Sequence, residues 1–423
     1  MKSIFSNSLV KSTGVYAISN ILNAAIPFVL LPYLTDKLSP ADYGIVSMFQ
    51  VLFSIFNPFV GLSSESAISK RYFDLGKEKL GIYNFNVFLI QIFTVLPLVA
   101  VIVIFGSLIS DISDFPKIWL WAVLLYSLTN KFLEIIFSLF RLENKAAGFG
   151  ALKVSKTLVE LGFTFYFISL LNQTWDGRIS AQVISSIILA LVGAYLIWKK
   201  NYFKLKFSKL NIKDALKYGV PLIPHVIGAT LITYADRLFI TNMVGLQDLG
   251  VYSVGYQVGM GIGLIQTSIN QAYIPWLFGK LKKPESFDKK KLVKGIYAYN
   301  FFLLALVFIL VILVPYLFKY FIGDEFQNAS NYVLWIGLAF AINGMYKMVV
   351  AFLFYTEQTK IIGLGTIVTA AINIILNYFF ISNFGAIGAA YATTISFLIQ
   401  YIAIWYFSNK YYKMPWFNFK KIV

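Results

Sequence analysis

Cysteine is absent from the 423-residue chain, which excludes disulfides, thiolate metal sites and a cysteine nucleophile and leaves redox compartment undefined. Histidine occurs once, at His225, too sparsely for a histidine-built metal centre. Charge is scarce too: 13% of residues are charged and 58% hydrophobic, whereas soluble domains carry roughly a quarter charged. Carboxylates are the rarer sign, 19 against 36 Lys and Arg, for a formal net charge of +17. A mean hydropathy of +0.72 exceeds what a soluble core can bury. The chain reads as a membrane protein, and the basic excess has to be interpreted by position before any nucleic-acid partner is inferred.

A helix needs about 20 apolar residues to cross the hydrocarbon core, because its backbone must satisfy its own hydrogen bonds there. Twelve segments qualify: 9–34, 45–68, 82–109, 117–140, 149–171, 177–198, 215–243, 249–278, 295–322, 328–355, 361–381 and 385–407. The start, Met1 to Lys11, lacks a cleavable signal pattern, so the first span is expected to act as an uncleaved anchor. With the N-terminus inside, the inner connections and tails receive 29 of the 36 basic residues, while the outer side receives only Lys37, Lys117, Arg178 and Lys319. The positive-inside rule therefore predicts that both termini are cytoplasmic. The basic excess is topology, and its expected partner is anionic inner-leaflet lipid, with no nucleic acid.

An internal repeat is visible in the same order in both halves. Asp42-Tyr43-Gly44-Ile45-Val46-Ser47 recurs as Asp248-Leu249-Gly250-Val251-Tyr252-Ser253, Gly148-Phe149-Gly150 as Gly363-Leu364-Gly365, and Gly177-Arg178-Ile179-Ser180-Ala181 as Gly385-Ala386-Ile387-Gly388-Ala389. Six spans per copy is an even number, so the copies run parallel. The expected fold is an all-α polytopic membrane protein: twelve transmembrane helices in two parallel six-helix lobes around a central cavity. The expected organisation is an N-terminal lobe at 1–198, a cytoplasmic basic linker at 199–214, a C-terminal lobe at 215–409 and a cytoplasmic tail at 410–423.

Seven charged residues fall inside spans: Glu65, Lys131, Glu134, Glu160, Asp236, Arg237 and Lys347. At roughly 3 kcal/mol each they cannot all face lipid, so they must face water or one another. Helical spacing groups polar residues into stripes: Gln50, Ser54, Asn57, Gly61 and Glu65 on span two; Thr13, Tyr16, Asn20, Asn23 and Pro27 on span one; Ser127, Lys131, Glu134 and Ser138 on span four; Thr230, Thr233, Arg237 and Thr241 on span seven. A hydrated cavity drawing on Arg237, Lys131, Lys347, Asn57, Asn23 and Thr233 is the economical reading. Helix-to-helix hydrogen bonding is the bland alternative for the Ser and Thr residues. Arg237 is expected to point into water, unpaired with Asp236, which lies about 100° around the helix. Pro221 and Pro224 remove two donors within one turn and predict a break at the start of span seven.

The segments Pro221-Leu222-Ile223-Pro224-His225, Asp236-Arg237-Leu238-Phe239-Ile240, Gly250-Val251-Tyr252-Ser253 and Leu38-Ser39-Pro40-Ala41-Asp42-Tyr43-Gly44 resemble the Wzx-type O-antigen and polysaccharide flippases of the multidrug/oligosaccharidyl-lipid/polysaccharide (MOP) exporter superfamily. The resemblance implies two six-helix lobes that open alternately to each side and carry an undecaprenyl-diphosphate-linked oligosaccharide, an O-antigen or capsule repeat unit, across a bacterial inner membrane. It implies a cationic cavity, matched here by Arg237, Lys347 and Lys131, and a place in lipopolysaccharide biosynthesis with a polysaccharide polymerase and chain-length regulator as protein partners. No cofactor is expected beyond a coupling proton or sodium ion, for which Glu65, Glu134, Glu160 and Asp236 are the candidates. Multidrug export within the superfamily is the nearest rival reading. A polysaccharide polymerase or ligase is a weaker one, since every outer connection is short and no nucleophile–base pair, phosphate loop or metal-ligand cluster is present; no enzyme is expected.

Overall fold

The computed structural model describes residues 26–143, 145–282 and 288–417. Among them all regular structure is helical. A helix over 26–37 (α1) is followed by α2 (Pro40–Phe56), α3 (Ser66–Asp74), α4 (Lys77–Ser113), α5 (Leu120–Leu142), α6 (Ala146–Phe165), α7 (Trp175–Lys199) and α8 (Lys209–Gly219). Then come α9 (Ile223–Met243), α10 (Leu246–Gly259), α11 (Gly261–Leu281), α12 (Lys289–Phe321), α13 (Ser330–Tyr355), α14 (Thr359–Phe384) and α15 (Ile387–Tyr411). Seven of the described helices are individually long and apolar enough to cross a bilayer, and two pairs bent by 44° bring the number to nine. The expected span over 9–34 lies mostly outside the described residues, α6 carries Lys153, Lys156 and Glu160 within its length, and the expected eighth span is divided between α10 and α11.

The chain forms two compact units. Of the described residues, one unit holds those up to Leu38 and those from Ile45 to Thr230; the other holds Ser39–Gly44 and those from Leu231 on. Burial recurs between helices of the two units. The apolar windows of α4 and α12 are both 22% buried, those of α5 and α13 both 67%, and those of α7 and α15 both 50%. α4 and α12 thus turn most of their apolar surface outward, as lipid-facing helices do, while α5 and α13 are enclosed by their neighbours. Around α5 the core packs Ile68, Tyr83, Val87, Leu133, Ile136 and Leu189; around α13 it packs Leu277, Leu292, Val349, Phe352, Ile404 and Trp416.

The repeated Asp-x-Gly motif has a local cause. At the start of α2, Ser39 Oγ donates to Asp42 Oδ2 at 2.7 Å and Asp42 N donates to Ser39 Oγ at 3.1 Å, a reciprocal cap with Pro40 at the first helical position. Two residues on, a Cβ on Gly44 would lie 2.1 Å from the Leu246 carbonyl oxygen, and one on Gly250 would lie 1.8 Å from that of Pro40. The two helix starts cross backbone to backbone inside the second unit, which is why both copies need glycine there.

The 199–214 segment is docked on α4. Asn84 Nδ2 donates to the Tyr202 carbonyl at 2.9 Å, Asn86 Nδ2 to that of Lys206 at 2.8 Å, and Ser208 N to Asn86 Oδ1 at 2.8 Å. Beyond it, Asp214 on α8 takes a forked ion pair from Arg71 of α3, at 2.6 and 2.9 Å, and a hydrogen bond from Tyr83 of α4 at 2.8 Å.

Two helix breaks matter for the site. α8 gives way to a 3-10 turn, Val220–Leu222, that holds Pro221, Pro224 follows at the second position of α9, and the axis bends by 44° across this stretch. The second break, in span two, departs from the sequence expectation. After Phe56 the chain makes two 3-10 turns, and Gly61, Leu62 and Ser63 take φ of 77°, 51° and 54°. The left-handed run is anchored by Gly61 N donating to Thr94 Oγ1 at 2.7 Å. The stripe drawn from Gln50 to Glu65 assumed one unbroken helix, so its later members do not continue the face of the earlier ones.

Candidate functional site

Lys131 sits on α5 with its side chain only 7% exposed. Its ammonium donates to Glu65 Oε1, just before α3, and to Glu134 Oε2, one turn further along α5, both at 2.8 Å. Glu134 keeps its other side toward the outside, at 44% exposure, while Glu65 is 11% exposed and its Oε2 is buried with no partner among the described residues. Two carboxylates share one lysine, so a fully ionised cluster would carry one uncompensated negative charge. Protonation or cation uptake would neutralise it.

Glu160 on α6 is engaged elsewhere in the same unit. Arg178 Nη2 meets its Oε1 at 2.8 Å and Arg178 Nη1 donates to Thr164 Oγ1 at 2.9 Å. α7 begins at Trp175 and carries Arg178 in its first turn, at the start of the expected 177–198 span, buried against α6. Asn57 opens the 3-10 turn of the broken span, with its Oδ1 buried and without a partner among the described residues. Asn23, with the rest of the first-span stripe before Pro27, lies outside the described residues.

In the second unit, Arg237 and Asp236 correct two expectations. The Arg237 side chain is 9% exposed, and its Nη1 lies 3.2 Å from Asp236 Oδ1, so it is buried and paired with its neighbour. The angular argument fails because the Asp236 carboxylate folds back along the helix to accept from the Arg237 backbone N–H at 2.8 Å, which brings Oδ1 within reach of the guanidinium. Tyr252 donates to the other carboxylate oxygen. The guanidinium also donates to the Thr233 carbonyl at 2.9 Å and stands over the rings of Tyr256, 4.4 Å from the centroid, and Tyr234, at 5.0 Å. Desolvation of the cation is offset by one carboxylate and two ring faces. Sequence reasoning missed this aromatic cage, although Tyr252 and Tyr256, four residues apart on α10, share one helical face. Thr233 itself is exposed.

Lys347 is differently placed. It lies on α13, half-buried, and its ammonium donates to Thr267 Oγ1 of α11 at 3.2 Å. Among the described residues no carboxylate comes within ion-pairing distance of it. Of the seven embedded charges, six are thus held in ion pairs and Lys347 is held by a hydroxyl.

The sequence matches the polysaccharide biosynthesis protein family over residues 9–280. The chain belongs to that family. Among its relatives are protein 1 of the Lsg locus of Haemophilus influenzae, 26% identical over 87% of this chain and 91% of that protein, and the capsular polysaccharide biosynthesis protein CapF of Staphylococcus aureus, 22% identical over 95% of this chain and all of that one, 100%. The fold is similar to that of the lipid II flippase MurJ in an inward closed conformation, with a TM-score of 0.75 at 17% identity over 93% of this chain and 87% of that one. A multidrug resistance MATE family transporter of the MOP superfamily gives 0.73 at 15% identity over 92% and 94%. The all-α, multi-pass architecture is therefore similar to the fold of these two solved transporters.

Proposed function

We propose that this protein is a flippase that carries an undecaprenyl-diphosphate-linked oligosaccharide, an O-antigen or capsule repeat unit, from the cytoplasmic to the periplasmic leaflet of a bacterial inner membrane by alternating access of two six-helix lobes. The observation that carries the reading is Lys347: an ammonium group within an apolar helix, with a hydroxyl neighbour and no carboxylate in reach among the described residues, in a family named for polysaccharide biosynthesis. Burying a cation at membrane depth costs about 3 kcal/mol, and a visiting anion such as the diphosphate or a sugar carboxylate offsets that cost. Within the second unit Arg237 and Thr233, and within the first Lys131 and Asn57, are the further candidates for substrate contact, each taken in its own unit, with Glu65 and Glu134 as the coupling carboxylates of the first. The family match favours a glycan over the multidrug substrates of the structural relative, since the fold alone is common to both. In this reading the protein performs transport without bond chemistry, and both termini are cytoplasmic.

The test is a strain whose surface polysaccharide depends on this protein. On its depletion, lipid-linked repeat units should accumulate and become inaccessible to a glycan-modifying enzyme confined to the periplasm, and re-expression should restore access. Accumulated units that remain fully accessible from the periplasm would remove the flippase reading.

A further inference from the structure

The second unit contains a cavity of about 560 Å³ at the end where α11 runs out and α12 begins, a size suited to a small ligand or part of a lipid. Its composition is divided. Tyr273, Trp276 and Tyr299 supply aromatic wall, whereas Lys280, in the last turn of α11, and Lys291, in the first turn of α12, supply charge. Among the described residues no carboxylate is within ion-pairing distance of either ammonium. The acidic residue that also lines the cavity, Asp288, is engaged as the cap of α12, accepting from Lys290 N at 2.9 Å and Lys291 N at 3.1 Å. Tyr299 contributes ring surface to the cavity, while its hydroxyl is buried away from solvent without a hydrogen-bond partner among the described residues. The cavity is open at Gly295, where an added Cβ would meet nothing within 4 Å.

We propose that this cavity binds a phosphate-headed lipid, the head group between Lys280 and Lys291 and the start of the apolar tail against Tyr273 and Trp276. Paired basic side chains attract a phosphate beside an anionic membrane surface, and Trp and Tyr favour the depth where head group meets hydrocarbon. The residues involved are separate from Arg237, Lys131 and Lys347, so the site is additional to the substrate site above and stands whether or not the protein flips a glycan. Two sources offer this chemistry, a bilayer phospholipid and the polyprenyl phosphate family of glycan carriers.

The experiment is native mass spectrometry of the purified full-length protein in detergent, titrated separately with dioctanoyl phosphatidylglycerol, dioctanoyl phosphatidylcholine and a polyprenyl phosphate. Wild type should retain one of the two anionic lipids in preference to phosphatidylcholine. Preference for phosphatidylglycerol assigns the site to the bilayer, and preference for the polyprenyl phosphate assigns it to the carrier. Lys280→Gln with Lys291→Gln should weaken retention by about thirtyfold. Gly295→Leu fills the cavity while leaving both lysines, and should weaken it comparably at unchanged thermal stability. Equal retention of phosphatidylcholine, or undiminished retention in Gly295→Leu, overturns the proposal.

Discussion

In the first unit Glu65, Lys131, Glu134 and Glu160 are all answered by opposite charges, with Lys156 on α6 held by the Asn130 amide oxygen at 3.0 Å, while the second unit answers Lys347 with a hydroxyl. Lys131 holds two carboxylates at 2.8 Å and Arg178 holds Glu160 at 2.8 Å. Arg237 has Asp236 at 3.2 Å and two ring faces, but Lys347 has Thr267. A cation already surrounded by its counter-charges gives up much of its hydrogen-bonding capacity to the fold. One without them retains its capacity for an anionic visitor. The comparison therefore sorts the cations by what they can still bind, and it ranks Lys347 above Arg237, which the sequence alone placed first.

The largest effect expected from breaking it is on Lys131. Replacing this residue by Met leaves Glu65 and Glu134 facing each other, with Glu65 11% exposed. An uncompensated charge of this kind costs about 3–5 kcal/mol. Thermal unfolding in detergent should show a large loss for Lys131→Met, relieved in part when Glu65→Gln is added. A Lys131→Met variant as stable as wild type would mean that the cluster is not a closed set of counter-charges.

Arg237 should come next. Arg237→Ala removes a buried partner from Asp236, but Tyr252 and the residue-237 backbone N–H still hold that carboxylate, so the loss should be smaller, about 2 kcal/mol. Arg237→Lys keeps the charge and loses the planar stacking on Tyr256, worth about 1 kcal/mol. If the residue is mainly part of the fold, export should fall in proportion to the folded protein in both variants. Export falling well below the amount of folded protein would return Arg237 to the substrate site and collapse the distinction drawn from its cage.

Much of this was legible before any coordinates. The Asp-x-Gly repeat marks a contact that the structure shows to be backbone on backbone at Gly44 and Gly250, because close approach leaves a residue-type requirement in the sequence. The proline pair marked the bend at α8–α9, because a missing donor is a local property. What escaped were arrangements that depend on helix continuity or side-chain flexibility. The polar stripe on span two was extrapolated through Gly61–Ser63, where the backbone turns left-handed. The Asp236–Arg237 contact was dismissed by treating side chains as fixed spokes, when a carboxylate that curls back onto the next backbone N–H also reaches the next side chain.

The smallest effect on the fold, and the most telling one on function, is expected at Lys347. Its ammonium makes one hydrogen bond, to Thr267 at 3.2 Å, worth about 1 kcal/mol net, whereas keeping an ammonium at this depth costs about 3 kcal/mol. Met occupies a similar volume without the charge, and Met345 and Met348 already flank the position on α13. Lys347→Met should therefore leave thermal stability unchanged or raise it. If Lys347 meets the anionic part of a lipid-linked glycan, the same variant should lose export per folded molecule at least about tenfold, the equivalent of one charge-assisted hydrogen bond. Lys347→Arg, which keeps the charge, should retain most of the activity. Normal export from a stable Lys347→Met protein would show that a cation without a counter-charge can persist in this fold without a visitor, and the ranking of the two units' cations would then carry no functional meaning.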